Sequence, residues 1–317
     1  MANYNPKLMS MFGQGGSAFG MTLLEEVKND PNIIVLSSDM STPAGLDKFK
    51  STYPENFYNV GIAEQNMIGI AAGLADEGYR PICVAQACFI SMRSFEQVRQ
   101  YAGYMKKPLI LVGIGSGYSL AYMGNTHYAL EDIALMRTIP EMQVVAPCDA
   151  IEACKALEAA LKSDKPTYIR FFGGTGTPAV HAADFDYTIG KSVSLKEGKD
   201  IQIIATGSMV SNAMKVAESL SEQGIEASVV DMNTIKPLDT VAINMECPAI
   251  ITVEEHSIIG GLGDAVGSYL LENGYQGKFK KIGIEDHLSV VGDYQYLLAE
   301  NGLSVEKITE STINKIK

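Results

Sequence analysis

One stretch of the chain, Asn59-Val60-Gly61-Ile62-Ala63-Glu64-Gln65-Asn66-Met67, sets a lone carboxylate at the start of a helical pattern. Met67, Ile70, Ala71 and Leu74 follow at i, i+3, i+4, i+7 spacing, which predicts one apolar helix face. An acid in the first turn is favoured by the helix dipole, so on pattern alone Glu64 reads as a structural helix-start residue. Gly69 and Gly73, four apart on a neighbouring face, cost helix propensity, and close packing against another helix would compensate. Phe89, on its own, is a core ring at a strand end. His127 follows Gly124-Asn125-Thr126 in loop-like sequence, where a lone histidine is most often structural or solvent-facing. His181 lies in a linker region, and His256 and His287 each follow a strand; all three read as surface or interface residues. The five cysteines, Cys83, Cys88, Cys148, Cys154 and Cys247, form no CxxC pair and are odd in number, which reads as reduced thiols. Cys83 and Cys88 sit in apolar runs and are expected to be buried small hydrophobes.

The elements that must position these groups alternate. Asn32–Leu36, Pro81–Phe89, Pro108–Ile114, Met142–Ala146 and Thr167–Phe172 read as strands. Ile62–Leu74, Ser94–Met105, Leu130–Arg137 and Ala150–Leu161 read as helices. Apolar runs without strict alternation suggest strands covered on both faces, as in a parallel sheet. Gly173-Gly174-Thr175-Gly176-Thr177-Pro178 breaks the pattern, and Lys196-Glu197-Gly198-Lys199-Asp200 is a polar turn. The pattern then restarts with strands at Ile201–Thr206, Ala227–Asp231, Ala249–Glu254 and Phe279–Gly283, and helices at Asn212–Gln223 and Gly263–Leu271. The expected fold class is α/β, with two domains, 1–185 and 186–317, each a mainly parallel sheet flanked by helices.

Composition agrees. A length of 317 residues favours two domains, and 46% apolar residues suffice for two cores. A net charge of −12 argues against a nucleic-acid or anionic-membrane partner, since both need concentrated Lys and Arg. The first residues, Met1 to Phe12, lack the apolar core of a signal peptide, and no apolar run is long enough for a membrane helix. A cytoplasmic location is the expectation.

Several ordered blocks resemble the transketolase family. They are Gly61-Ile62-Ala63-Glu64-Gln65-Asn66 followed by Gly69-Ile70-Ala71-Ala72-Gly73-Leu74-Ala75, then Gly124-Asn125-Thr126-His127, Glu131–Arg137, Ile139-Pro140 and Val144–Asp149. In the second block come Asp231-Met232, Ile235-Lys236-Pro237-Leu238-Asp239 and Thr252–Gly261. The resemblance runs from about Ser17 to the C-terminus and implies a pyrimidine-binding domain followed by a transketolase C-terminal domain. It implies thiamine diphosphate as cofactor, with Glu64 hydrogen-bonded to N1′ of its aminopyrimidine so that the 4′-amino group can accept the thiazolium C2 proton. Phe89 matches the aromatic that stacks on the pyrimidine, and Ile62 and Asp39 fall beside the same ring system. His127 matches a histidine that contacts substrate oxygens and moves protons. Arg93 matches an arginine near the substrate in the synthase branch, and Met123 stands where an aspartate usually reads acceptor hydroxyls. Catalytic roles are therefore expected for Glu64 and His127.

Two departures shape the expectation. The Gly-Asp-Gly and Asn signature that holds magnesium (or calcium) and the diphosphate is missing; Gly263-Asp264-Ala265 and Gly292-Asp293-Tyr294 lack the third glycine. The resemblance then implies an N-terminal transketolase subunit as partner, bringing the metal site, and an α2β2 heterotetramer with a β–β contact near the Glu64 helix. The positions that carry basic phosphate anchors in the family hold Gly16, Gly115 or Ser116, and Gly173. Losing such arginines removes the strongest phosphate-recognition device. Either the substrate is not a standard pentose or tetrose phosphate, or the partner supplies the anion site. Arg170 is nearby, but its register is expected to point it elsewhere. The expected reaction is transfer of a two-carbon ketol unit from a ketose to an aldose. The competing readings are the β subunit of a 2-oxo-acid dehydrogenase E1 component, a 1-deoxyxylulose-phosphate-synthase-like acyloin-forming enzyme, and a non-catalytic subunit.

Overall fold

The computed structural model describes residues 9, 11–14, 18–173, 178–181, 183 and 185–316; Gly16 lies outside them. In chain order the described strands are β1 (Ile33–Ser37), β2 (Phe57–Asn59), β3 (Arg80–Gln86), β4 (Ile110–Ile114), β5 (Gln143–Val145), β6 (Thr167–Phe171), β7 (Val193–Lys196), β8 (Ile201–Ala205), β9 (Ala227–Asp231), β10 (Thr234–Lys236), β11 (Ala249–Ser257) and β12 (Lys278–Ile284). The first sheet has the order β10-β5-β6-β4-β3-β1-β2 and the second β12-β11-β8-β9-β7. Among the described strands every pairing is parallel except two: β10 against β5, and β7 against β9.

The continuous apolar runs become strands buried on both faces. In the first sheet Ile34, Leu36, Cys83 and Leu111 feed one core layer, while Val35, Ile82, Val84 and Val112 feed the layer opposite. This is the period-two division expected of a sheet covered by helices on each side. The first of these layers runs on into the second domain, through Ile204, Val230, Ile250 and Leu262. β10 makes the joint physical: its sequence belongs to the second block, yet it pairs with β5 of the first sheet. All five cysteines are buried thiols.

The structure corrects four readings. The strand expected over Pro81–Phe89 ends at Gln86, and a π-helical turn spans Phe89–Arg93. The helix expected over Ser94–Met105 is a short α-helix, Phe95–Val98, continued by a second π-helical segment at Arg99–Tyr104. The Glu64–Asp76 helix buries Met67, Ile68, Ala71 and Ala72, whereas Ile70 is exposed. The buried stripe is thus rotated towards the sheet, and Ile70 lies with Gly73 on the open side. Finally, His181 and His256 are not on the surface. His256 is fully buried between the domains, where its Nε2 accepts from the Ala134 N–H at 3.3 Å and Nδ1 meets the Ser257 carbonyl at 2.7 Å. Burial pushes its pKa down to about 4, so it is a neutral interior histidine. His287 alone of the three is exposed, hydrogen-bonded to Asn301. Among the described residues no helix is long and apolar enough to cross a membrane.

Candidate active site

The site forms at the C-terminal ends of β1, β2 and β3, where open parallel sheets present their crevices. As β1 ends, Asp39 takes a left-handed φ of 53°, a conformation that Asp tolerates better than most residues. Asn59, ending β2, clamps the turn: its Oδ1 accepts from the Asp39 and Gly61 N–H groups at 3.2 and 2.9 Å, and its Nδ2 donates to Asp39 Oδ1 at 3.2 Å. The Ser38 hydroxyl donates to the Gly61 carbonyl at 2.9 Å and accepts from the Ala63 N–H at 3.3 Å. Gly61, at φ +74°, supplies the reversal that a side chain would strain. These bonds fix the chain just before the helix, leaving Ile62 75% exposed and Glu64 only 2% exposed.

Glu64 opens the Glu64–Asp76 helix without a side-chain cap. Its carboxylate is met by Arg93, whose Nη1 lies 3.0 Å from one oxygen and 2.9 Å from the other. The π-helical turn explains why this arginine is in place. With more than four residues per turn, positions i and i+4 come nearly into line. The Arg93 guanidinium therefore lies over the Phe89 ring, 4.0 Å from its centroid. His127 meets the same ring edge-on, with centroids 5.3 Å apart, and its Nδ1 is 2.9 Å from Thr126 Oγ1.

A pocket of about 240 Å³ is lined by Ser38, Asp39, Met40, Ile62, Glu64, Gln86, Phe89 and His127. Asp39, Ile62, Glu64, Phe89 and His127, the residues singled out in the sequence, are thus brought together. Met123 is half exposed on a neighbouring turn and does not line it, and Arg93 is occupied by Glu64. Ser38, Met40 and Gln86 escaped the sequence reading. Their signal was positional, since each stands at or just past the end of β1 or β3. Gln86 carries a further mark: its Oε1 is buried and accepts no hydrogen bond. Together the lining offers the carboxylates of Glu64 and Asp39, a free amide acceptor, an aromatic ring and a histidine. That donor set suits a flat heteroaromatic ring bearing an amino group, such as an aminopyrimidine, and it contains no cluster of carboxylates for a divalent ion.

Around Gly115, Ser116 and Gly173 the backbone is closely packed. A Cβ on Gly173 would lie 2.8 Å from Gly115 Cα, so the two glycines pack back to back. The Gly115 and Ser116 N–H groups both donate to the Phe171 carbonyl at 3.1 Å. Arg170 turns inward instead: its Nε is 2.8 Å from Asp132 Oδ2, and its Nη2 donates to the Ala129 and Glu255 carbonyls.

Comparison with known proteins fits this arrangement. Residues 14–172 match the family model of the transketolase pyrimidine binding domain, and residues 190–308 that of the transketolase C-terminal domain. An apulose-4-phosphate transketolase subunit of Phocaeicola vulgatus is 38% identical over 304 residues, covering 95% of this chain and 96% of its own. The 6-deoxy-6-sulfo-D-fructose transketolase subunit SqwH of Clostridium sp. (strain MSTE9) is 36% identical, covering 91% of this chain and 90% of its own. Among solved structures, a split gene transketolase described as an inactive beta4 tetramer superposes with a TM-score of 0.84 at 37% identity, covering 95% of this chain and 97% of that one. With its two domains matched in order and its sheets arranged as described, the chain belongs to the transketolase family.

Proposed function

We propose that this chain is the pyrimidine-binding subunit of a two-subunit, thiamine-diphosphate-dependent transketolase that transfers a two-carbon ketol unit from a ketose to an aldose. One observation carries the reading: Glu64, buried at a helix start, shares one pocket with Phe89, His127 and the unpaired Gln86 Oε1. When bound, the cofactor supplies a thiazolium carbon able to attack a ketose carbonyl. The chain's own residues do the rest. Glu64 would hold the aminopyrimidine N1′ and share a proton with it. Phe89 would carry the ring on its face, Gln86 Oε1 would accept from its amino group, and Ile62 and Asp39 would border it. His127, edge-on to Phe89, is positioned to reach substrate oxygens and hold a proton there.

At about 240 Å³ the pocket falls below the ~300–1,000 Å³ of complete small-molecule sites, as a half-site should. The metal (Mg2+ or Ca2+) and the diphosphate would be held by an N-terminal transketolase subunit, as the names of the relatives, each a subunit of a transketolase, suggest. An α2β2 assembly would place two of these chains together along the open side of the Glu64–Asp76 helix. There Ile70 is exposed, and a methyl group added at Gly69 or Gly73 would meet nothing within 4 Å. The back-to-back packing of Gly115 and Gly173 supports a sugar substrate without the usual phosphate anchors in this chain, or an anion site on the partner. Arg93 would leave Glu64 when the cofactor arrives and become free to meet substrate, with Met123 at the outer edge. The test is Glu64→Ala in the reconstituted pair. Loss of ketol transfer by at least about a hundredfold, the scale of a general acid–base group, is expected. Activity that survives the substitution sinks the reading.

A further inference from the structure

The joint between the two domains holds a second group of reactive side chains. Cys148 lies in the turn after β5, Glu152 in the first turn of the Ala150–Lys162 helix, His181 on the connecting segment and Asp231 at the end of β9. All four are buried, and one ligand atom from each lies within 4.8 Å of all the others. We infer that Cys148, Glu152, His181 and Asp231 form a structural site for a divalent cation of zinc's type, locking the connecting segment and both domains together.

Distances point to a common centre. Cys148 Sγ and His181 Nε2 are 3.5 Å apart, His181 Nε2 and Asp231 Oδ2 3.4 Å, and His181 Nε2 and Glu152 Oε1 3.7 Å. Tetrahedral angles on metal bonds of about 2.0–2.3 Å give edges of about 3.3–3.8 Å between such atoms. The three edges from His181 Nε2 fall in that range, the other three are within 4.8 Å, and ordinary hydrogen bonds between nitrogen and oxygen would be shorter. Satisfaction points the same way. Neither Asp231 oxygen accepts a hydrogen bond, nor does Glu152 Oε1, although both residues are fully buried. His181 Nε2 stands 3.4 and 3.7 Å from the two carboxylates without hydrogen-bonding either, and a cation at the centre would satisfy both at once.

The surroundings hold the ligands still. Asp149 caps the helix through the Glu152 N–H, and its other oxygen accepts from the N–H groups of Val180 and His181 at 3.0 Å each. Glu152 Oε2 accepts from the Cys148 N–H at 2.6 Å, which leaves Oε1 turned inward. Phe185 stacks on the His181 ring at 3.9 Å. Such outer contacts orient metal ligands. One thiolate and one imidazole disfavour magnesium and calcium, and four protein ligands without an open position mark a structural site.

The full chain, expressed with zinc and passed over a weak chelating resin, should retain about one zinc per chain by elemental analysis. Cobalt substituted for zinc should give a thiolate-to-cobalt charge-transfer band and tetrahedral visible bands. Cys148→Ser should abolish the charge-transfer band, and His181→Gln should cut metal content to below about a fifth, with folding checked by circular dichroism. None of these readouts depends on ketol transfer. If the variants fail to fold, the cobalt spectrum of the unaltered chain decides. A chain that takes up neither zinc nor cobalt to stoichiometry overturns the inference, and so does full metal retention by both folded variants.

Discussion

Arg93→Ala should tighten cofactor binding. In this structure the guanidinium does what a bound aminopyrimidine would have to do: it lies over the Phe89 ring and donates to the Glu64 carboxylate. A ligand entering the pocket must displace it. Hydrogen bonds to a charged group contribute about 1.5–3 kcal/mol. Arg93 is 42% exposed, so screening reduces the pair to about 1 kcal/mol. The stacking on Phe89 adds about 0.5–1 kcal/mol. Removing both contacts takes about 1.5 kcal/mol from the free energy of displacement, or about tenfold in affinity. The unpaired Glu64 that remains, 2% exposed, gains more from a partner that shares its proton. The assay is calorimetric titration of thiamine diphosphate, with excess Mg2+, onto the reconstituted pair of subunits. Arg93→Lys, which keeps the charge but not the guanidinium, should fall between. A separate measurement of kcat/KM for the donor should fall if the released Arg93 serves substrate. Unchanged or weaker cofactor affinity in Arg93→Ala would refute the displacement argument.

The remaining predictions concern assembly and stability. Gly73→Ala should raise the Tm of the isolated chain by about 2 °C, since nothing opposes the methyl and alanine favours the helix by about 1 kcal/mol. In the assembled enzyme the same methyl should break the contact between two copies, read by light scattering; an intact assembly would remove that face from the interface. Arg170→Met should cost about 3–5 kcal/mol in urea unfolding, because it strands the fully buried Asp132 without its cation. Adding Asp132→Asn should recover part of that loss. Asp264→Asn should cost under about 1 kcal/mol, because the carboxylate is 40% exposed. Partial burial works against the Asp264 charge, but hydrogen bonds from Lys281 and the Gly260 N–H prevail and depress its pKa below 3.8. A depressed carboxyl stabilises the fold above its unfolded pKa, so the difference between the two proteins should be full above pH 3.8 and vanish as pH falls through the lower folded value.

How legible this was in the sequence depended on what each feature needed from afar. The long parallel strands carry their own signal, because burial on both faces writes a continuous apolar run such as Ile33–Ser37 or Ile110–Ile114. β10 has three residues and exists only because β5 is beside it; nothing local marks Thr234–Lys236 as an edge strand of the other domain. The π-helical turn at Phe89–Arg93 is also invisible locally, and reading a strand through Phe89 placed that ring one element too early. Glu64, Phe89 and His127 were found through ordered motifs. Gln86 was not, because a glutamine ending a strand becomes notable only when its buried oxygen is seen to lack a partner.

Folded chains rarely leave a buried polar atom unpaired, so each exception asks what else the site is built to hold. At the Glu64 pocket the exception is one amide oxygen, Gln86 Oε1, beside a carboxylate that has borrowed an arginine from its own chain. An arginine can serve there because a guanidinium imitates a flat, donating ring. At the domain joint the exceptions are carboxylate oxygens of Asp231 and Glu152, which face a thiol and an imidazole. There the nearest partner from the chain itself is His181, 3.4 Å from Asp231 and 3.7 Å from Glu152, and it gives neither carboxylate a hydrogen bond. The difference has a consequence for handling the protein: the pocket can wait for its cofactor with its charges paired, whereas the joint should gain measurably in stability when metal is supplied. A Tm of the full chain that rises with zinc but not with thiamine diphosphate alone would bear out that asymmetry, and a Tm indifferent to zinc would break it.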